Sequence, residues 1–305
     1  MSSLITSCPI CGRALDSFSE PGCPHCSPIA EVPQPVSKQP PWGLAMALLA
    51  WAASVVLLIL VPLVALLGYL IGFNQPLLQD MFRGRPPSPT ALMEPNLVLT
   101  TIVATFIAHL LTLALCWLIV TGMGKRPFFA TLGWGWHKKF KWWHALLLAL
   151  GMLALGEGLA RLLPHGKTDL DKMLSVSASV RVAVALLAVL TAPLIEEVVY
   201  RGVLYSALER AGGQITGIII VALLFGAVHV PQYWGSKAVL AAVMCLSLAL
   251  TVLRATTGKL LPCVMTHLFF NGIQAIFILA RPPKPPLPEP VQATIFAALQ
   301  YFMSG

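Results

Sequence analysis

The sequence predicts an all-α fold: a polytopic transmembrane helical bundle of about 7–8 spanning helices, with a small N-terminal zinc ribbon. Charged residues make up only 10% of the 305 positions and hydrophobic residues 57%, whereas a soluble domain carries about 25% charged residues. Several charge-free stretches reach the roughly 20 residues that a helix needs to cross a bilayer core of about 30 Å. The lipid bilayer is therefore the first expected partner.

The zinc ribbon is predicted at residues 1–27, where two Cys-x-x-Cys pairs supply four thiolates for a tetrahedral zinc ion. Four protein ligands leave no open coordination position, so the expected role is structural, or the binding of a protein partner. Two disulfides or an unstructured tail are the competing interpretations, and a cytoplasmic location disfavours disulfides. A proline-rich linker follows at 28–41. The predicted zinc ligands are Cys8, Cys11, Cys23 and Cys26.

The transmembrane bundle is predicted at residues 42–280. A different division of the C-terminal part gives eight spans instead of seven. Three further cysteines lie singly in apolar stretches and are interpreted as small core residues. The seven spans are expected near residues 43–72, 97–121, 142–163, 180–209, 214–231, 237–255 and 260–280.

The net charge of +8 is interpreted as a topology signal and not as a sign of nucleic-acid binding. Residues 122–141 contain five basic residues and no acidic one. By the positive-inside rule this loop faces the cytoplasm, and counting back two spans places the N-terminus there as well. The expected location is the inner (cytoplasmic) membrane of a bacterium.

Ionisable side chains cluster in the second half of the chain, in stretches that are otherwise typical of membrane helices. Such side chains are costly in a bilayer, so each is by default a functional hypothesis. Glu197 and Arg201 are four residues apart and can pair along one helix face. Glu196 points about 100° away and keeps no local partner, which leaves it free for chemistry. The alternative is that these residues only join helices by hydrogen bonds.

The remaining members of the cluster lie on two later helices. A turn is predicted at Gly212–Gly213; Glu196 precedes it and His229 follows it by 16 residues. Both therefore lie roughly 24 Å from the turn and can face each other. His267 and Asn271 share one face of the last predicted span, at a somewhat shallower depth that helix tilt can compensate.

Two polar features outside this cluster receive structural interpretations. Glu157 and Arg161 are four residues apart and are predicted to pair near a helix end. His109 is alone on its helix and is interpreted as a packing or helix-contact residue.

Three motifs in this cluster resemble those of the CPBP (Abi) family of intramembrane glutamic endopeptidases, which is related to type II CAAX prenyl proteases. That family is marked by Glu-Glu-x-x-x-Arg, then Phe-x-x-x-His, then His-x-x-x-Asn or Asp. All three occur here in order and without departure. They are Glu196-Glu197-x-x-x-Arg201, Phe225-x-x-x-His229 and His267-x-x-x-Asn271. The resemblance covers, and implies a protease core at, about residues 95–280 within the bundle at 42–280.

The resemblance implies a helical membrane protease with a water-filled cavity and no metal requirement in the membrane site. It implies that Glu196 is the general base and that His229 holds the same water. It further implies that His267 and Asn271 stabilise the oxyanion. The expected substrate is a membrane-associated protein or peptide, and nothing in the resemblance requires it to be prenylated. The residues that would support the site are Glu197, Arg201 and Phe225.

Two alternatives remain open at this point. The ligand types also permit a zinc-dependent metalloprotease in which His229, His267 and a glutamate bind the metal. A protein of another class, such as a membrane scaffold, an immunity factor or a regulator, could keep the fold without turnover.

The C-terminal segment 281–305 is predicted to be a proline-rich stretch followed by a short amphipathic tail. A helix of about 12 residues reaches only about 18 Å, which is too short to span a bilayer. It is therefore expected to lie in the interface or to pack on the bundle, and a frayed tail is the alternative. The apolar stripe of this helix comprises Val291, Ile295, Ala298, Leu299 and Phe302.

Overall fold

The computed structural model describes residues 40–280, which form helices joined by short connections. The predicted zinc ribbon at 1–27, nearly all of the linker and the tail at 281–305 lie outside the described residues. The helices are α1 (Leu44–Phe73), α2 (Gln75–Phe82), α3 (Pro89–Leu92), α4 (Pro95–Thr121), α5 (Phe128–Thr131), α6 (Trp142–Leu162), α7 (Asp169–Val176), α8 (Ala178–Leu186), α9 (Ala192–Glu197), α10 (Tyr205–Tyr233), α11 (Lys237–Thr257) and α12 (Leu261–Ala280).

Two wide π-helical turns are inserted between α8 and α10. The first π segment is Leu187–Thr191, and the second π segment is Val198–Leu204. Helix α9, which carries both glutamates of the predicted site, lies between them. Each π turn includes one more residue than an α turn, so it rotates the following residues relative to the preceding ones.

Within residues 40–280, six helical stretches are long and apolar enough to cross a membrane. An all-helical membrane bundle is thus confirmed for the described part of the chain, while the count of seven spans stays a prediction. The six stretches are Leu44–Phe73, Pro95–Thr121, Trp142–Leu162, Ala178–Tyr233, Lys237–Thr257 and Leu261–Ala280.

The 56-residue stretch Ala178–Tyr233 turns back on itself at Gly213. Gly213 has φ 84° and ψ 169°, outside the helical region and accessible to glycine without strain. The ring centroids of Tyr200 and Phe225 are 5.0 Å apart, although a straight helix would separate these residues by about 37 Å. The turn predicted at Gly212–Gly213 is therefore present, and the two arms pack against each other.

The ends of the long helices follow local sequence signals. The Glu94 carboxylate accepts hydrogen bonds from the backbone N–H groups of Asn96 and Leu97 and so caps the start of α4. Helices α4 and α11 end at Gly122 and Gly258, which both adopt the left-handed conformation typical of a helix C-terminus.

The second π segment contributes five residues to the largest apolar cluster within residues 40–280, and all seven of its residues are buried. Space there is tight: a Cβ added to Gly202 would lie 2.9 Å from a Leu132 methyl group. The residues that precede α1 also contact this segment, because the Trp42 indole N–H donates to the Val203 carbonyl at 3.0 Å. The stretch that follows the two glutamates is thus fixed by contacts with distant parts of the chain.

The three cysteines of the described residues are unpaired, as expected for small core residues. Cys116 and Cys263 are buried, and Cys245 is half-buried.

Candidate active site

Glu197 lies at the end of α9 with its side chain fully buried. Its Oε1 atom accepts hydrogen bonds from an Arg201 terminal nitrogen at 2.8 Å and from His267 Nδ1 at 2.9 Å. Its Oε2 atom is buried and has no hydrogen-bond partner among residues 40–280. Glu197 therefore joins the first and third predicted motifs through a single oxygen.

Arg201 is the second fully buried member of this pair. Besides Glu197, its guanidinium donates to the Ser247 carbonyl at 2.9 Å, to Ser247 Oγ at 2.8 Å and to Thr251 Oγ1 at 3.2 Å. The guanidinium carbon also lies 4.7 Å from the centre of the Phe225 ring, within range of a cation–π interaction. A buried charge needs compensation of this kind, so the pair is built into the packing of α11 and α10.

Glu196 is only partly buried, with 23% of its side chain exposed. Its Oε2 atom lies 3.8 Å from His267 Nε2, while Glu197 contacts the other ring nitrogen. A separation of 3.8 Å is too long for a direct hydrogen bond, but one oxygen atom can lie about 2.8 Å from both atoms. The arrangement therefore leaves a place for a water or substrate oxygen between Glu196 and His267.

His229 is held by its own helix. Its Nδ1 atom lies 2.8 Å from the Phe225 carbonyl, which can only accept, so Nδ1 carries the hydrogen and the neutral ring keeps an acceptor at Nε2. Its ring stacks on Phe225 with centroids 4.6 Å apart. Phe225 in turn meets His267 at a steep angle, with centroids 6.2 Å apart. Phe225 thus contacts both histidines and orients them.

Asn271 contacts the first π segment. Its side-chain amide nitrogen donates to the Ala188 carbonyl at 2.9 Å. This carbonyl lacks its usual partner, because a π turn would pair it with the N–H of residue 193, and Pro193 has none. One of the two amide hydrogens of Asn271 therefore satisfies the backbone, and the other is available to a ligand.

Sequence reasoning did not connect His109 to the glutamates. His109 is buried on α4, and its Nδ1 atom lies 2.9 Å from Thr191 Oγ1, five residues before Glu196. The sequence predicts a packing or helix-contact residue here, and the structure shows a helix contact. Its partner is 82 residues away, so short spacings along the chain carry no signal for it.

The structure brings six of the seven predicted residues of the membrane site together. Glu197 contacts Arg201 and His267, Phe225 contacts Arg201 and both histidines, and Glu196 lies 3.8 Å from His267. Asn271 lies four residues after His267 on α12 and bonds to the Ala188 carbonyl of the first π segment. The six residues are Glu196, Glu197, Arg201, Phe225, His229 and His267.

Metal ligands were also predicted, and they have a different outcome. The four cysteine ligands of the zinc ribbon lie outside the described residues. Among residues 40–280, no group of three or more His, Cys, Asp or Glu side chains is placed to hold a metal ion.

The six-residue cluster, with Asn271 on the same helix as His267 and one carboxylate partly exposed, defines a candidate membrane hydrolase site. Residues 178–273 match the family model described as type II CAAX prenyl endopeptidase Rce1-like. The match covers about a third of the chain and includes all three motifs. It supports the resemblance to the CAAX protease-like family and, with the six apolar helices, an integral membrane protein. The comparisons with curated proteins and with solved structures found no match.

Proposed function

We propose that this protein is an intramembrane endopeptidase that hydrolyses a peptide bond of a membrane-associated protein or peptide. The observation that carries the proposal is the 3.8 Å gap between Glu196 Oε2 and His267 Nε2, at the one partly exposed carboxylate of the cluster. A water in this gap would lie beside a general base and a ring nitrogen, with apolar helices around it. The match to an endopeptidase family supports the same class of reaction.

In the proposed reaction Glu196 removes a proton from the water as its oxygen attacks the peptide carbonyl carbon. His229 holds this water through its Nε2 atom. The carbonyl oxygen becomes an oxyanion, which the free amide hydrogen of Asn271 and His267 Nε2 stabilise. Because His267 already donates from Nδ1 to Glu197, this role requires a hydrogen on Nε2 as well.

The tetrahedral intermediate then breaks its carbon–nitrogen bond. Glu196 returns the proton to the departing amine, which restores the carboxylate for the next cycle. Glu197 and Arg201 take no part in these transfers. They hold His267 in place, since Glu197 fixes the ring through Nδ1 and Arg201 fixes Glu197.

The test is the substitution Glu196→Gln, which keeps the shape of the side chain and removes its basicity. We expect turnover to fall by about 10²–10⁴-fold, the usual contribution of a general base, with the protein still folded in the membrane. Comparing membrane peptides from cells that express the wild type or the variant identifies the substrate. Glu157→Gln, at an exposed glutamate of α6, is the matched control and should leave turnover unchanged.

Near wild-type turnover in purified Glu196→Gln would remove Glu196 from the reaction. An identical cellular effect of the wild type and the variant would instead favour a scaffold or regulator on the same fold.

We also propose that the N-terminal cysteines, Cys8, Cys11, Cys23 and Cys26, hold one structural zinc ion. Deleting residues 1–38 should remove one zinc per chain and leave cleavage of a short peptide nearly intact, as measured by metal analysis and turnover of the purified protein. Stoichiometric zinc in the truncated protein would move the metal to the membrane site and favour the metalloprotease alternative.

A further inference from the structure

His109 makes a specific contact across the bundle. It lies on α4 with only 5% of its surface exposed, and its Nδ1 atom is 2.9 Å from Thr191 Oγ1. Thr191 Oγ1 also lies 3.2 Å from the Leu187 carbonyl. The hydroxyl can donate to this carbonyl and accept from His109 Nδ1, or it can donate to Nδ1 of a ring whose hydrogen is on Nε2. In either arrangement a hydrogen bond joins α4 to Thr191.

Thr191 is the last residue of the first π segment, and Pro193 explains why a π turn forms there. In an α-helix the proline ring would collide with the carbonyl of Val189, four residues earlier, and a wider turn relieves this collision. The Ala192 N–H accordingly bonds to the Leu187 carbonyl, five residues back.

The first π segment is held from two sides. His109 of α4 contacts its last residue, and Asn271 of α12 replaces the backbone hydrogen bond that Pro193 cannot make. Glu196 follows the segment by five positions. Because an α turn contains 3.6 residues, loss of the extra residue in the π turn would rotate Glu196 by about 100° relative to α8. The direction of the Glu196 carboxylate thus depends on this segment keeping its shape.

We propose that His109 is a positioning residue of the site, which acts through Thr191 on the first π segment and so aims Glu196 at the gap beside His267. The effect of His109 on turnover rests on the proposed function, but the effect of His109 on the first π segment does not. His109 belongs to none of the three motifs and lies on another helix, 82 residues before Thr191.

The experiment measures hydrogen exchange of peptides covering residues 187–197 in the full-length protein in detergent. His109→Leu and Thr191→Val each remove the contact between His109 and Thr191. Loss of a hydrogen bond of ordinary net strength should make exchange in this segment about fivefold faster. His109→Asn places an amide nitrogen close to the position of Nδ1 and should restore wild-type exchange. Thr112→Val is the matched control on α4, because the buried Thr112 Oγ1 has no hydrogen-bond partner among residues 40–280.

Turnover provides the second measurement. We expect His109→Leu and Thr191→Val to lower kcat about tenfold, with KM nearly unchanged, because neither residue contacts the substrate. His109→Asn should recover most of kcat, and Thr112→Val should match the wild type. The exchange measurement needs no turnover, so it tests the contact even if Glu196 proves not to be a base.

Unchanged exchange at 187–197 in both His109→Leu and Thr191→Val would overturn the proposal. Equal losses in His109→Asn and His109→Leu would also overturn it, because packing and not the hydrogen bond would then explain the effect. If His109→Leu fails to fold, His109→Ala replaces it in the comparison with His109→Asn, because Thr191→Val alone also removes the contact of the hydroxyl with the Leu187 carbonyl.

Discussion

Two Glu–Arg pairs with the same spacing lie in very different surroundings. Glu197 and Arg201 are 2.8 Å apart with both side chains fully buried. Glu157 and Arg161 are 3.1 Å apart, with 66% and 75% of their side chains exposed. In the sequence the two pairs look alike, since each places an acid four residues before an arginine.

The difference lies in what surrounds each pair. Arg201 also donates to two hydroxyl side chains of α11, and Glu197 also accepts from His267. For Glu157 and Arg161 the contacts are with each other, through two nitrogens of the guanidinium and one carboxylate oxygen. The spacing therefore predicts a contact, whereas burial and additional partners decide how much the contact matters.

The largest expected effect comes from breaking the buried pair. Glu197→Ala and Arg201→Ala each leave an uncompensated charge inside the bundle, which costs about 3–5 kcal/mol. We expect both variants to lose thermal stability in detergent as well as turnover. Two variants with unchanged melting temperatures and no turnover would contradict this expectation and place the pair in the chemistry itself.

Part of this arrangement could be predicted from the sequence, because local spacing determines it. The contact between Glu197 and Arg201 follows from residues four apart on a helix. The reversal at Gly213 follows from two consecutive glycines between apolar stretches. The connected cluster of three motifs follows from comparable distances along the helices to their turns.

The remainder depends on contacts between distant helices, which spacing does not encode. The first π segment has no pattern of its own, and only Pro193 hints at it. His109 contacts Thr191 across 82 residues, so the sequence predicts a packing or helix-contact residue but not its partner. The spacing of the two glutamates predicts that Glu196 and Glu197 point in different directions, but it could not show that both face the same histidine ring.

Glu94 provides an intermediate case, at the N-terminus of α4 and outside the membrane-spanning stretch. Burial alone would raise its pKa, but hydrogen bonds from the Tyr69 hydroxyl, at 2.7 Å, and from the backbone N–H groups of Asn96 and Leu97 lower it overall. A lowered pKa in the folded state means that the ionised carboxylate stabilises the fold. This stabilisation is present above the unfolded pKa and is lost as the pH falls through the folded pKa.

We therefore compare the wild type with Glu94→Gln between about pH 6 and about pH 3, a range that includes the usual pKa of a glutamate. We expect the melting temperature of the wild type to fall more than that of the variant as the pH decreases. Capping of α4 by the Glu94 carboxylate contributes about 1 kcal/mol to the free energy of unfolding. This value lies between the effects expected for the two Glu–Arg pairs. Equal pH dependence of the two proteins would show that Glu94 does not contribute through its charge.

The smallest effect is expected at the exposed pair. Arg161→Ala removes one ion pair near the end of α6, where 66% of the Glu157 side chain is exposed. Exposed pairs of this kind contribute about 0–1 kcal/mol, so the melting temperature should change little and turnover should not change. High salt should erase any difference, because it screens exposed charges. A decrease in melting temperature as large as that of Arg201→Ala would mean that another part of the protein, or a partner, covers this end of α6. The pair Glu157 and Arg161 would then be buried as Glu197 and Arg201 are.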